Sequence, residues 1–524
     1  MADWLPREHP VWFVIEVIRD LSPRLNAFRR REVLGGSGRA MYDPMMLVTL
    51  LVYASWQGVR SSRQIEARCH TDVAFRIICA QDPPDHSTIA RFRQATAAAF
   101  VDLFAEVLLL CAREGMGRFG KVAIDGTKVA ANASASANTT LARLRTVARA
   151  EVEAGLAADA DADSDVDAPP PPGLRDRSGR RERLARVRAE LEAEQAAVEQ
   201  AAKAAQEAAA EFTAAVGAGT NRRRRPPRGT DAVELARARY HAARAKQQAA
   251  VEDYQREKAK TLMQRSRHLV AAPKPVDESA RVRRAYDALR RAEQHAATTP
   301  TDPTSTNPGR AESSTDQKAA KPKQAKRNTT DPDSRLMPTK DGWIQGYNTQ
   351  AAVAEDHLIL AVTVTNTPAD VTQAIPMMQA AHAAAEAIAA HTGRDDTTIG
   401  QALLDAGYNS VHNLTAPGPD RLIATGKRRN QEHAAATNPT TGPPPPHATP
   451  QQAMRHRLRT PEGIRAYRKR GAIVEPIFGH LKDITGLRRF LTRGLTNVTG
   501  EANLATATLN LQRLFNYIAH AATA

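Results

Sequence analysis

The sequence has few cysteines. Only three occur in 524 residues, Cys69, Cys79 and Cys111, and no two of them form a C-x-x-C pair. This spacing fits neither a zinc site nor a disulfide framework, and it is typical of a protein of a reducing compartment.

Long apolar runs and targeting signals are also missing. No apolar segment reaches the roughly 18 residues that a membrane-spanning helix needs, and the run from Val107 to Cys111 has only the length of a core-helix fragment. The first ten residues lack the basic and apolar regions of a signal peptide. These absences predict a soluble, cytoplasmic protein without a membrane partner.

The chain is strongly basic. It has 73 lysines and arginines against 57 aspartates and glutamates, which gives a net charge of +16. Such an excess favours a polyanionic partner, and nucleic acid is the leading candidate. The length allows two or three domains with a large core.

Residues 1–115 have the pattern of a helical domain. Two prolines at 83–84 stop one element, and Ser87 can cap the next helix, from which Arg91 and Arg93 would project. A short turn before a helix with arginines near its start is typical of helix-turn-helix DNA binding, although an ordinary basic surface helix has the same pattern. We therefore expect a DNA-binding domain with Arg91 and Arg93 as candidate contacts.

The composition changes over residues 141–334. Leu184, Leu191 and Val198 recur every seven residues in a segment rich in Ala, Glu and Arg, which predicts a coiled-coil-like helix. The Thr/Pro/Asn/Lys-rich residues 298–334 read as a flexible linker. We interpret the whole region as a helical insertion with disordered linkers.

Two short apolar runs end in aspartate. One ends at Asp125 and the other at Asp405, and each has a glycine close behind. A strand that ends in aspartate places a carboxylate at a sheet edge, although Asp-Gly is also an ordinary turn dipeptide. A β-hairpin over 342–365 and a helix capped by Thr367 or Asp370 are predicted between the two.

A basic stretch near the C-terminus contains Glu475. Arg468 and Lys482 lie seven residues on either side of it, so all three share one face if the segment is helical. Pro476 lacks an N–H, and the helix should begin just before it or kink there. A carboxylate among cations could hold a divalent metal against a phosphate, but a surface helix with charge pairing is the ordinary alternative.

The three acids together suggest one type of chemistry. Asp125, Asp405 and Glu475, without a plausible His/Cys ligand set, suit Mg²⁺ or Mn²⁺. A pair of such ions about 4 Å apart can activate a water or a 3′-OH and stabilise the leaving oxygen of a phosphodiester. We expect the three to converge at one edge of a mixed sheet with helices on both faces.

Several motifs add a family resemblance. The chain resembles bacterial insertion-sequence transposases of the DDE type over about residues 1–140 and 335–520. The motifs are Tyr42-Asp-Pro-Met-Met-Leu, Gly58-Val-Arg-Ser-Ser-Arg, Thr71-Asp-Val-Ala-Phe-Arg, His86-Ser-Thr-Ile-Ala-Arg-Phe-Arg, Ile124-Asp-Gly-Thr-Lys-Val, Gly346-Tyr-Asn-Thr-Gln-Ala-Ala-Val, Asp405-Ala-Gly-Tyr and Val474-Glu-Pro-Ile-Phe-Gly with Lys482.

The resemblance implies a fold and an activity. The fold is α/β, a ribonuclease-H-like mixed sheet flanked by helices and formed by residues 116–140 and 335–524, with an N-terminal all-helical domain. The implied activity is metal-dependent cleavage of the element's ends and strand transfer to target DNA. Asp125, Asp405 and Glu475 would be the catalytic and metal-binding triad, with two Mg²⁺ or Mn²⁺ ions.

The resemblance also implies DNA contacts and an assembly. Lys482 keeps the family's spacing from the glutamate, whereas the family's tyrosine and arginine stand one residue earlier here, at Tyr467 and Arg470. All three are candidate DNA contacts of a homo-oligomer assembled on DNA, associated with the bacterial nucleoid. The alternative is a catalytically inactive DNA-binding protein derived from a transposase.

Overall fold

A computed structural model describes residues 4–29, 41–146, 177–220, 225–227, 229–260, 271–298 and 325–523. The chain divides into two compact units. One unit comprises Met1–Val187 and Lys326–Ala524, and the other comprises Arg188–Ala325. The linkers expected within 147–176 and 299–324 lie outside the described residues.

Seven helices are described in the N-terminal part of the first unit, over residues 4–29 and 41–115. They are α1 (Pro10–Leu21), α2 (Asn26–Arg29), α3 (Pro44–Trp56), α4 (Ser62–Thr71), α5 (Val73–Ile78), α6 (His86–Ala95) and α7 (Phe100–Arg113). Aspartates begin three of them, because the Asp43 carboxylate accepts from Met45 N, that of Asp72 from Ala74 N, and that of Asp85 from Ser87 N and Thr88 N. The cap of α6 is therefore Asp85 and not Ser87.

The sheet of the first unit is mixed. Its strands are β1 (Lys121–Ala130), β4 (Arg335–Thr339), β5 (Gly342–Ala354), β6 (Ile359–Thr365), β7 (Gln401–Leu404) and β8 (Asp420–Ile423), and a separate small pair is β2 (Asn138–Thr139) with β3 (Arg327–Asn328). The strand order is β4-β5-β1-β7-β8, and β6 also pairs with β5. The pairs that include β5 are antiparallel, whereas β1, β7 and β8 run parallel.

Further helices follow the strands of this unit. They are α11 (Ala374–Thr392), α12 (Val411–Thr415), α13 (Arg428–Thr437), α14 (Pro450–Arg457), α15 (Pro461–Asp483) and α16 (Leu495–Thr523). Helices α11, α15 and α16 all pack against strands of the sheet.

The N-terminal helices and the sheet share one hydrophobic core. The C-terminal helix α16 packs against α3 and α7 as well as against β6. Its Phe515 lies 5.3 Å from Phe13 and 5.7 Å from Trp56, measured between ring centroids. Residues 1–115 are thus packed into the unit that contains the sheet.

A buried ion pair also connects these parts. The Glu501 carboxylate on α16 accepts from the Arg60 guanidinium, from the backbone N–H groups of Leu491 and Thr492, and from Thr492 Oγ1. Arg60 also donates to the carbonyl of Gly486, just after α15. Glu501 therefore connects the start of α4 to the loop between α15 and α16.

Residues 325–334 differ from the flexible linker that their composition predicts. Asn328 and Asp331 are fully buried, and Ser334 is nearly so. The Asn328 side chain accepts from Thr330 N and Asp331 N and donates to the Ser134 carbonyl, and Asp331 accepts from Tyr347 Oη. Hydrogen bonds satisfy most of these buried polar groups, although Asp331 Oδ2 has no hydrogen-bond partner among the described residues.

The second unit is helical where it is described. Helix α8 (Arg177–Gly217) extends into it, and α9 (Ala232–Lys258) and α10 (Ala280–Thr298) follow. The rings of Tyr240 and Tyr286 are tilted against each other with their centroids 5.6 Å apart, and Arg237 pairs with Glu293 at 3.8 Å, so α9 and α10 are antiparallel. The predicted heptad seam is not continuous, because Leu191 is buried while Val198 is 49% exposed.

In the parts of the chain that the structure describes, no single helix is long and apolar enough to cross a membrane. The bent pair His86–Ala95 and Ala97–Arg113 reaches that threshold by length and composition only.

Replacing Glu501 should destabilise the fold strongly. Glu501→Gln leaves the buried Arg60 without its counter-charge, and the loss in the free energy of unfolding should be about 3–5 kcal/mol. Urea unfolding followed by circular dichroism measures it. Asp483→Asn, which removes the partner of an exposed ion pair with Arg488, is the control and should cost less than about 1 kcal/mol. Similar small losses in both variants would show that Arg60 and Glu501 do not stabilise the packing of α16.

Candidate active site

Helix α15 carries Glu475 and is continuous through Pro476. It begins at Pro461, where the Thr460 side chain caps it, so the prediction that it starts just before or kinks at Pro476 was wrong. Because proline has no N–H, the carbonyl of Ala472 loses its helical donor. The imidazole Nε2 of His357 donates to that carbonyl at 2.9 Å instead.

One side of this helix is an apolar stripe that faces the core. Ile473, Val474, Ile477 and Leu481 are buried against the core, and Glu475 lies on the exposed side. An ion pair between Lys469 and Glu355 also holds α15 to the turn that follows β5. The helix is therefore fixed against the sheet near Glu475.

Asp125 lies within β1, not at its end, because β1 continues to pair with β5 as far as Ala130. Its side chain is 18% exposed. The carboxylate accepts from the N–H of Gly126 at 2.9 Å and from Arg470 Nη1 at 3.1 Å.

Asp405 follows the last residue of β7 directly. Strands β1 and β7 are parallel neighbours, with Ile124 opposite Leu404, so the next residues along each chain, Asp125 and Asp405, are adjacent. Burial raises the pKa of Asp125 to about 6 from its ordinary value of 3.8, although Arg470 opposes the shift, and the negative charge of Asp405 adds to it. The two carboxylates thus form one electrostatic site.

Glu475 lies on the same cavity as Asp405. The cavity has a volume of about 690 Å³, and Tyr467 and Arg470 also line it. Since Arg470 pairs with Asp125, the three predicted acids surround one region. Among the described residues, however, no three His, Cys, Asp or Glu side chains are already arranged at distances that would hold a metal ion.

Tyr467 contacts the backbone next to one of the acids, and Arg470 contacts another acid directly. The Tyr467 hydroxyl donates to the carbonyl of Leu404 at 3.2 Å, immediately before Asp405. Arg470 is mostly buried and pairs with Asp125. Both side chains therefore help to hold Asp125 and Asp405 in position in this structure.

Lys482 is half-buried on the same helix. Burial lowers its pKa, and so do the nearby charges of Arg488 and Lys340, while Asp483 opposes them. The neighbours that act on it electrostatically do not include Glu475. Lys482 therefore lies in a basic environment, which differs from a simple i,i+7 charge pair.

Two lysines that the sequence did not single out lie on the cavity. Lys340 is in the turn between β4 and β5, and Lys427 precedes α13. Arg468 of α15 lines the same space. A basic hairpin turn is not in itself a signal of a site, so only the folded arrangement could identify these two lysines.

The two arginines of α6 have different environments. Arg91 is exposed, as expected, but Arg93 is only 8% exposed. Burial lowers the pKa of Arg93, and the charges of Glu501 and Arg60 act on it. The expectation that Arg93 projects to solvent was wrong, because its side of α6 is buried in the protein.

The donor chemistry of the acids suits a hard cation. Asp125, Asp405 and Glu475 offer only oxygen atoms, which Mg²⁺ and Mn²⁺ prefer. Burial is the main cause of the raised pKa of Asp125; Arg470 opposes the shift, and the negative charges of Asp405 and Asp370 add to it. These residues therefore fit a divalent metal ion, provided that Arg470 gives up its bond to Asp125.

Two parts of the chain match models of known families. Residues 1–95 match a family described as Transposase domain (DUF772), and residues 436–515 match one described as Transposase DDE domain. No curated protein and no solved structure matches the chain. The second match includes Glu475 and Lys482, whereas Asp125 and Asp405 lie outside both.

Neutralising Asp125 should stabilise the protein in metal-free buffer. The raised pKa means that the charged carboxylate destabilises the fold, by up to about 3 kcal/mol for roughly two pKa units. The unfolding free energy of Asp125→Asn should exceed that of the wild type at pH 7. The difference should be absent below about pH 4 and grow until about pH 6, as the wild-type carboxyl ionises.

Asp420→Asn is the matched control, with the opposite sign. Partial burial raises the pKa of Asp420, but hydrogen bonds from Arg457 and Gln401 outweigh burial, so that this pKa is lowered. Asp420→Asn should therefore be less stable than the wild type at pH 7. An Asp125→Asn variant that is also less stable would show that the ion pair with Arg470 outweighs the burial of Asp125.

Proposed function

We propose that this chain, which belongs to the insertion-sequence transposases of the DDE type, cleaves the DNA ends of its element and transfers them to target DNA. The observation that carries the proposal is the adjacency of Asp125 and Asp405 on neighbouring parallel strands, with Glu475 on the same cavity. Each acid alone has an ordinary structural explanation. Their convergence from β1, from the end of β7 and from α15 does not.

The sheet supports a ribonuclease-H-like catalytic core. Three antiparallel strands, β6, β5 and β1, are followed across the sheet by the parallel strands β7 and β8. Helices α11 and α15 pack on this sheet. This is the arrangement that the resemblance in sequence implies.

Asp125, Asp405 and Glu475 would hold the divalent ions, two Mg²⁺ or Mn²⁺. When bound, such ions supply an activated water or 3′-OH and stabilise the leaving oxygen of the phosphodiester. Tyr467 fixes the backbone in front of Asp405, and Arg470 keeps Asp125 charge-compensated until the metal binds. With a metal ion held by the three acids, the Arg470 guanidinium would be available to bind a phosphate of the DNA strand.

The cations around the cavity would bind the DNA backbone. Lys340, Lys427 and Arg468 line the cavity, and Lys482 lies close to Lys340. Lysine binds phosphate as a point charge and arginine as a planar fork, so these residues position a strand without reading its sequence. Arg91 on α6 is an exposed candidate for a further DNA contact, whereas the buried Arg93 is not. Assembly of several copies on DNA and association with the nucleoid stay predictions.

The proposal is tested on the labelled end of the element with Mg²⁺. Glu475→Gln should reduce strand cleavage by more than about 100-fold, because loss of a metal ligand exceeds the 10- to 100-fold effects of outer-shell partners. Lys482→Ala should instead weaken end binding and reduce the slope of log binding constant against log salt by about 1.

Glu462→Gln is the matched control, since Glu462 is an exposed glutamate in the first turn of the same helix. It should cut and bind like the wild type. Wild-type cleavage by Glu475→Gln would remove Glu475 from the site. End binding by the wild-type chain without any Mg²⁺-dependent cleavage would identify the inactive DNA-binding protein.

A further inference from the structure

Asp370 makes a set of contacts that its sequence position does not predict. It stands before α11, where it is expected to cap a helix, but its side chain makes no capping bond. Its Oδ1 accepts instead from Lys128 Nζ at 3.0 Å, Asn348 Nδ2 at 2.7 Å and Gln350 Nε2 at 2.8 Å. One carboxylate oxygen thus joins two strands of the sheet.

These donors lie on the face of the sheet opposite Asp125. Lys128 is paired with Asn348, and Gly126 with Gln350, in the register of β1 and β5. Because side chains alternate along a strand, Asp125 points to the α15 side while Lys128 points to the other. Asp370 therefore lies behind the acids and not among the groups that face the cavity.

Gly126 leaves the space for this network. A Cβ at this position would lie 2.1 Å from Gln350 Nε2 and 3.0 Å from Asp370 Oδ1. Any other residue would push Gln350 away from Asp370. The glycine after Asp125 is thus explained by the contact behind it and not by a turn, since β1 continues past it.

The network continues to the loop that carries Asp405. The hydroxyl of Tyr408 donates to Gln350 Oε1, and Tyr408 is fully buried. Gly407 lies between the two carboxylates, because a Cβ there would be 3.0 Å from Asp405 Oδ1 and 3.4 Å from Asp370 Oδ2.

We propose that Asp370 is a positioning residue of the site, holding the loop of Asp405 at a fixed distance from Asp125 through Gln350 and Tyr408. The proposal rests on the proposed function and assigns roles to residues outside the three acids. Lys128 pairs with Asp370, although the negative charge of Asp370 still adds to the raised pKa of Asp125. Lys128 and Asn348 fix the orientation of the Asp370 carboxylate, which in turn fixes Gln350.

The test measures Mn²⁺ binding to the full-length chain without DNA, by electron paramagnetic resonance. Asp370→Ala removes the common acceptor and should weaken Mn²⁺ binding about 10- to 100-fold, as loss of an outer-shell partner does. Asp370→Asn keeps an acceptor oxygen for Gln350 and should lose clearly less. The melting temperature in EDTA and Mg²⁺-dependent cleavage of the element end are measured on the same proteins.

Tyr408→Phe tests the same network with a smaller change. It removes only the hydroxyl that bonds Gln350, and it should weaken Mn²⁺ binding in the same direction as Asp370→Ala. Asp420→Ala is the control, because that carboxylate also bridges side chains, Gln401 and Arg457, but at the opposite end of β7 from Asp405. Its affinity for Mn²⁺ should equal that of the wild type.

Three results would overturn the inference while the proposed function stands. The first is wild-type Mn²⁺ affinity in both Asp370→Ala and Tyr408→Phe. The second is an equal loss in Asp370→Asn and Asp370→Ala, which would indicate that the charge of Asp370 is needed and not its geometry. The third is an equal loss in Asp420→Ala, which would indicate a general loosening of the sheet. A wild-type chain that neither binds Mn²⁺ nor cleaves DNA would instead refute the proposed function.

Discussion

The parallel pairing of β1 with β7 is the constraint on which the site depends. It places Asp125 and Asp405 on adjacent strands, where burial and mutual repulsion make the ionised state of Asp125 costly. Like charges brought together in a poorly solvated place favour a cation beside them, and Arg470 pairs with Asp125 in this structure. The fold therefore maintains an arrangement that is unfavourable for stability and that a divalent ion, as proposed, would relieve.

Two layers of contacts hold this arrangement. On the α15 side, Tyr467 bonds the backbone next to Asp405, and His357 takes the carbonyl that Pro476 leaves without a donor. The proline is tolerated because a side chain from another element replaces the missing N–H. On the opposite face, Asp370 connects the two strands of the β1–β5 pair. Contacts on both faces of the sheet thus hold the acids in position.

Sequence patterns predicted the elements of the site better than their surroundings. An apolar run followed by aspartate, and a glutamate on the exposed side of an apolar stripe, are local signals, so Asp125, Asp405 and Glu475 could be chosen from the sequence. Contacts between distant segments leave no such signal. The Asp370 carboxylate, which could cap a helix, bonds two strands instead, and Arg93 is buried near the charges of Glu501 and Arg60. The polar composition of residues 325–334 is that of a linker, and only the folded structure shows the hydrogen bonds that order them.

The central claim is that Asp125, Asp405 and Glu475 bind the same divalent ions. The most direct measurement is anomalous diffraction from crystals of the chain bound to an element end and grown with Mn²⁺. We predict one or two manganese peaks within coordination distance, about 2.0–2.6 Å, of carboxylate oxygens from all three residues, with Arg470 moved off Asp125. Manganese at another place, or a DNA-bound site in which Arg470 still pairs with Asp125 and no metal is present, would contradict the claim.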